Sequence, residues 1–479
     1  MPQPARNGIE PPRQPLGPNR RHVVQGLSAG MAALLTQPWT AAWMNPLAQA
    51  AEGQLSIAPF RFDVTPPLGH SCCGGWITPV KQIDDALEAI GFVLLGAGQP
   101  IVICAVDWTG ILNSGHLAWR QALAKAAGTT PDRVAVQCVH QHNAPMACPD
   151  TQRLLDAQGD LPAVIDMAFF QRCLEQGSEA VRQALTRPRR CTHVANGQAQ
   201  VLQIASNRRF LNAAGKIEHW RGSATKDPVL RDLPEGLIDP WLKTVAFYED
   251  DQPIVACHYY ASHPMSFYGD GRVTSDFVGL ARKRFQTDQP AVTQIYFTGC
   301  AGNVAPGKYN DGTPEARKQL TDRLYDALVA SWKSLAKSPI RTTNWATTDL
   351  SLVAHEKLNL EQVRRQVADK TAAVVARNRP AYSLAFAERC ARSQPIVLSA
   401  LHVNDNVLLH LPAESFVEYQ LHAQQLARGK FVATAAYGDG GPWYIPTADA
   451  FSQGGYEVGV AFSSPQTDAA LRGNLGRVV

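Results

Sequence analysis

Apolar residues in this chain fall into short continuous runs, each closed by glycine, proline or a polar cluster. Ile57–Val64 opens the series, and Thr65-Pro-Pro-Leu-Gly69 turns the chain. Leu87–Leu95 and Ile101–Val106 are rich in β-branched residues and flank Gly96-Ala-Gly-Gln99, a pattern that predicts a hairpin. Trp241–Tyr248 and Pro253–Tyr260 predict a second hairpin around Glu249-Asp-Asp-Gln252. Val134–Val139, Gln294–Phe297 and Val407–Leu411 predict further buried strands, the last broken at Pro412. Between them the periodicity changes to that of a helix over Ala118–Ala127, Ala168–Leu185, Pro314–Leu335, Leu358–Arg377 and Glu414–Arg428. Arg341–Thr347 reads as a weak subdomain boundary, and no internal repeat, heptad or low-complexity tract is visible.

Strands alternating with helices predict an α/β (or α+β) fold: one large domain of mixed β-sheets flanked by helices. Asp107, His140, His263, Asn303 and Glu414 each follow a predicted strand's C-terminal end by a few residues. Polar groups on loops held there by buried strands mark the active-site edge of such a fold.

Composition narrows the picture. With 45% hydrophobic and 18% charged residues, the chain supports a large core and is not disordered. The net charge of +4 comes without a dense Lys/Arg block, so no nucleic-acid partner is expected. Ten cysteines form no CxxC pair. Cys104, Cys138 and Cys257 sit inside apolar runs as small hydrophobes, so neither a disulfide framework nor a cysteine metal site is expected. Cys300, in Thr-Gly-Cys-Ala-Gly-Asn, stands apart as a nucleophile candidate that would work with His263, although no nucleophile-elbow pattern surrounds it.

Residues 1–50 have a different character. Arg20-Arg21 precede the short, mildly apolar Gly26–Leu35, and Ala48-Gln-Ala50 fits a small-x-small cleavage site. A spanning helix needs about 20 apolar residues, so no transmembrane anchor is expected. The pattern predicts a twin-arginine export signal, a periplasmic or secreted location, and a mature domain at residues 51–479.

The chemistry concentrates in His140-Gln-His-Asn-Ala-Pro145 and in Tyr444-Ile-Pro-Thr-Ala-Asp-Ala-Phe451, with Tyr456-Glu457 beyond. In extended backbone His140 and His142, at i and i+2, point to the same side. By spacing alone they read either as a metal-holding pair or as a packed pair, and no His-Glu-x-x-His signature is present.

From about Ile57 to the C-terminus the chain resembles the catalytic N-terminal domain of the neutral/alkaline (non-lysosomal) ceramidases. The segment at His140–Pro145 stands where that family has His-Thr-His-Ser-Gly-Pro, and Tyr-Ala-Ser-His263-Pro-Met-Ser266 where it has Ala-x-His-Gly-x-Ser-Met. Leu411-Pro-Ala-Glu414-Ser-Phe echoes Ile-Pro-Ala-Glu-Phe-Thr, and the Tyr444–Glu457 stretch matches Tyr-Val-Thr-Thr-x-Glu-x-Tyr-x4-Tyr-Glu.

The resemblance implies one zinc ion per chain, held by His140, His263, Glu414 and Tyr444, and cleavage of a small-molecule or lipid amide by metal-activated water. It implies that His142 touches the substrate carbonyl or moves a proton, and that Arg208, in Ser-Asn-Arg-Arg, steadies an oxyanion. Asp276, in Thr-Ser-Asp-Phe, matches a family aspartate before a helix, a position an N-cap explains equally well. Asp107 would orient a ligand histidine.

Two departures stand out. Ala305, in Gly299-Cys-Ala-Gly-Asn303-Val-Ala305-Pro306, replaces the family's serine. The chain also stops soon after Tyr444, so no C-terminal immunoglobulin-like domain is expected. The alternative to an amidohydrolase is a catalytically silent, metal-bound lipid- or carbohydrate-binding protein with the same fold.

Overall fold

A computed structural model describes residues 54–479, and the predicted export signal lies outside the described residues. The described chain forms one unit containing three principal sheets. In the first, Ser56–Asp63, Glu88–Leu95, Ile101–Val106 and Val134–Cys138 lie side by side in that order. The first three are antiparallel, and Val134–Cys138 adds parallel to Ile101–Val106 after the helix Ser114–Ala127.

The second sheet repeats this plan with His193–Gln200, Trp241–Glu249, Gln252–Tyr260, the helix Asp276–Asp288 and the parallel strand Thr293–Thr298. The third repeats it again with Thr343–Leu350, Ile396–Val403, Asn406–His410, the helix Val417–Leu426 and the parallel strand Phe431–Ala435. Nothing in the sequence announces this threefold plan. The units share only a rhythm of burial: the parallel strands Ile101–Val106, Val134–Cys138 and Asn406–His410 are buried throughout, as strands covered on both faces must be.

The three parallel edge strands converge at their C-terminal ends. Cys138 N–H donates to Tyr437 O at 2.8 Å, Ala436 N–H to Thr298 O at 2.9 Å, and Thr298 Oγ1 to Val139 O at 2.7 Å. The Gln137 amide donates to Leu411 O and Ala436 O, both at 2.9 Å, tying the first sheet to the third. Helices cover the outer faces: Met167–Ala184 packs on the first sheet, Asp276–Asp288 and Pro314–Lys333 on the second, Gln466–Val478 on the third.

Three expectations change. The helix expected over Leu358–Arg377 is two helices, Leu360–Ala368 and Val374–Ala391, and the second continues through Pro380 at the cost of one backbone hydrogen bond. Glu414 does not begin a helix. Glu414–Ser415 is a short strand parallel to Tyr444–Ile445, and the helix starts at Val417. The supposed boundary at Arg341–Thr347 falls within the lead-in and first half of Thr343–Leu350, a mostly polar strand at the rim of the third sheet. Among the described residues no helix is long and apolar enough to cross a membrane.

Candidate metal centre

Each sheet delivers one donor to a common point. His140 lies two residues beyond Val134–Cys138, His263 three beyond Gln252–Tyr260, and Glu414 four beyond Asn406–His410. His140 Nε2 and His263 Nε2 are 3.2 Å apart, and Glu414 Oε2 lies 3.4 Å from the first and 3.2 Å from the second. Donors about 2.0 Å from a tetrahedral ion stand about 3.3 Å from one another, so this triangle has the dimensions of three metal ligands.

The tautomers agree. His140 Nδ1–H donates to Thr109 O at 2.6 Å and His263 Nδ1–H to Ala301 O at 2.8 Å, leaving both Nε2 lone pairs directed at the same point. Glu414 Oε2 is buried with no hydrogen-bond donor. An orphaned carboxylate oxygen facing two unprotonated imidazole nitrogens is costly unless a cation joins them. His142 belongs to the same cluster: one donor atom from each of His140, His142 and His263 lies within 4.8 Å of the others, an arrangement compatible with a metal ion.

His140 sits at φ 76°, off the extended backbone that would place both histidines on one side of a strand. Ala413 (φ 50°), Tyr437 (φ 61°) and Trp443 (φ 60°) adopt left-handed backbone in the same neighbourhood, where strain concentrates at functional sites. The loops also approach closely: a Cβ on Gly302 would lie 2.3 Å from Glu414 O, so only glycine fits there.

Tyr444 is the cross-strand partner of Glu414, and Arg208 Nη1 donates to its hydroxyl at 3.2 Å. Burial and the Glu414 charge hold the Tyr444 phenol well above its usual range, so it keeps its proton in this setting. Arg208 is buried. Its Nε lies 3.6 Å from Glu457 Oε1, and its guanidinium stacks 4.6 Å from the Trp220 ring. Glu457, also buried, accepts from Trp220 Nε1 at 2.7 Å and pairs with Arg209 at 2.9 Å, which fixes this wall. Burial, reinforced by His140 and His263, pushes His142 well below the ordinary histidine range and keeps it neutral. Its Nε2 has no partner, while Nδ1 lies 3.7 Å from Cys73 Sγ.

These groups line a cavity of about 430 Å³ with Trp76, Trp220, Tyr268, Trp443 and Tyr456. Asp276 is not part of it. Its carboxylate accepts from Ser266 N at 3.0 Å, Ser266 Oγ at 2.5 Å and Phe277 N at 2.6 Å, anchoring the loop after His263 rather than reaching a substrate. Asp107 does not orient a ligand histidine either. Its carboxylate accepts from Glu88 N at 3.0 Å and faces Arg282, while the Thr109 carbonyl performs the orienting task. Cys300 is fully buried outside the cavity lining, and burial raises its thiol pKa far above the range of a nucleophile. Ala305 is likewise buried away from the cavity, paired with Ser206.

Sequence reasoning missed Tyr437, whose ring stacks on His140 at 4.2 Å, and the aromatic walls Trp76 and Trp443. The signal for Tyr437 was its place two residues beyond the buried strand Phe431–Ala435.

A mixed α/β domain of three like sheets around a histidine–carboxylate cluster is the class that fold and site define. No family model matches the sequence, and no curated protein matches it. Among solved structures, a ceramidase complexed with C2 aligns over 88% of this chain and 74% of its own, with a TM-score of 0.62 at 14% identity. The neutral ceramidase from Pseudomonas aeruginosa aligns over 89% of this chain and 74% of its own, with a TM-score of 0.61 at 14% identity. The chain therefore has the neutral ceramidase fold.

Proposed function

We propose that this chain is a zinc-dependent hydrolase of N-acyl amides, exported through the signal expected at residues 1–50. The observation that carries the reading is the triangle of His140 Nε2, His263 Nε2 and Glu414 Oε2, with sides of 3.2–3.4 Å. The ceramidase fold adds support, since ceramide is itself an N-acyl amide. His140, His263 and Glu414 would hold the ion, with Tyr444 as the fourth candidate. Zinc supplies Lewis acidity there, polarising a carbonyl and lowering the pKa of water to about 7.

The chain's own residues do the rest. His142 is neutral and lines the cavity, with Nε2 buried and unpartnered and Nδ1 beside the Cys73 sulfur. With the Nδ1 hydrogen turned to that sulfur, Nε2 accepts a proton and passes it to the departing amine. Arg208 stays cationic: burial works against its charge, and Tyr444 and Glu457 more than offset that cost. It steadies the negative charge that grows on the carbonyl oxygen. The indole and phenol walls exclude water from the reacting carbonyl.

Metal analysis tests the reading directly. Purified protein should carry zinc at one ion per chain, and chelation should end hydrolysis of N-acyl amides until zinc is restored. Full activity in metal-free protein would overturn the proposal. His142→Gln should keep its zinc and lose about 10²–10⁴-fold in kcat. Loss of the ion in that variant would instead make His142 a ligand.

A further inference from the structure

A second chamber of about 360 Å³ opens beside the metal cavity, and the two share Arg379 and Trp443. Arg379 lies on Val374–Ala391, whose two buried arginines are neutralised: Arg377 pairs with Asp160 at 2.7 Å and Arg389 with Asp439. Arg379 pairs with no carboxylate among the described residues, and its buried Nε has no hydrogen-bond partner. Its guanidinium stands 5.1 Å from the Trp76 ring and 5.8 Å from the Trp443 ring. Aromatic stacking holds the planar fork in place, with the Tyr456 hydroxyl beside it. The ionisable groups facing it are the neutral Tyr268, Tyr456 and Cys73.

Charge around the two chambers is one-sided. Among the described residues Glu414, the candidate ligand, is the single carboxylate lining the metal cavity, and the second chamber has no acidic residue in its lining but does contain Lys357. Its remaining wall includes Leu358, Val363, Val460 and Phe462. A half-buried, unpaired guanidinium at the mouth between two aromatic-walled chambers is a site for a planar anion.

We propose that Arg379 is a specificity-determining residue that binds a carboxylate on the substrate, so that the preferred substrates are N-acyl amino acids rather than N-acyl amino alcohols. The scissile amide lies at the metal centre, the carboxylate on Arg379, and the rest of the amine portion extends past Trp443 into the second chamber. This rests on the hydrolase reading above and names its substrate class.

The test compares hexanoylglycine with its neutral counterpart N-(2-hydroxyethyl)hexanamide, which differ only in carboxylate against hydroxymethyl. Wild-type protein should favour the acid by about tenfold or more in kcat/KM, the usual worth of a charge-assisted bidentate contact. Arg379→Met, which keeps the bulk packed against the indoles, should bring the ratio close to one, and Arg379→Lys should restore part of it. Binding of hexanoylglycine, followed through tryptophan fluorescence, should weaken in Arg379→Met in parallel. Equal use of both amides by the wild type, or a ratio unmoved in Arg379→Met, overturns the inference while leaving the hydrolase reading intact. Arg379-dependent binding without hydrolysis of either amide would sustain the carboxylate site and overturn the hydrolase reading.

Discussion

Glu414→Ala is expected to leave a folded domain that retains no zinc and turns over N-acyl amides about a thousandfold more slowly, or worse. Among the described residues the carboxylate is the only anion paired with the two imidazole Nε2 atoms, so its removal takes away a donor and the charge that would offset a dication. Loss of a group that merely supports a ligand typically costs 10–100-fold, which sets about the least that loss of the ligand can do. Alanine keeps the backbone pairing of Glu414–Ser415 with Tyr444–Ile445, so the variant should stay folded. Metal content, circular dichroism and kcat/KM measured on one preparation decide it. Zinc retained at one per chain would remove Glu414 from the ligand set.

Asp439→Ala should have the largest effect on stability, a loss of about 3–5 kcal/mol. Asp439 is buried and accepts from Asn113 N at 2.8 Å and Gly441 N at 3.0 Å, while Arg389 pairs with its other oxygen. Burial alone would raise its pKa, but Arg389 and His116 hold it below the ordinary aspartate range. Alanine leaves the buried Arg389 charge without its carboxylate, held only by the Gln394 and Pro395 carbonyls and the Asn113 amide oxygen, and frees two backbone N–H groups. The loop so released runs from Tyr437 to Tyr444, so catalysis should weaken along with stability. Urea or guanidinium unfolding measures the effect. A change below about 1 kcal/mol would mean that the pair is not the anchor of this loop.

The sequence was legible where burial was continuous. Val134–Val139, Pro253–Tyr260 and Val407–Leu411 were identifiable as apolar runs, and each is followed within a few residues by a donor of the candidate centre. Short loops keep those donors near their strands, which is why a linear reading could gather His140, His263 and Glu414. Function carried by backbone was invisible. The Thr109 carbonyl that orients His140 has no residue signature, and Asp107, two positions away, drew the assignment instead. Polar edge strands such as Thr343–Leu350 look like linkers because only one neighbour constrains them. Arg379 lay beyond the helix expected over Leu358–Arg377, whereas Val374–Ala391 runs on through Pro380. Asp276 had the residue type and place of a catalytic acid, yet its acceptor capacity is spent on Ser266 and Phe277.

The convergence of three sheets means that the donor atoms hang from separate pieces of architecture. They meet only after those pieces have docked, so a fragment lacking any of them cannot hold an ion. Affinity for the proposed ion would then be coupled to resistance to global unfolding, and occupancy should tighten the whole domain at once rather than a single lobe.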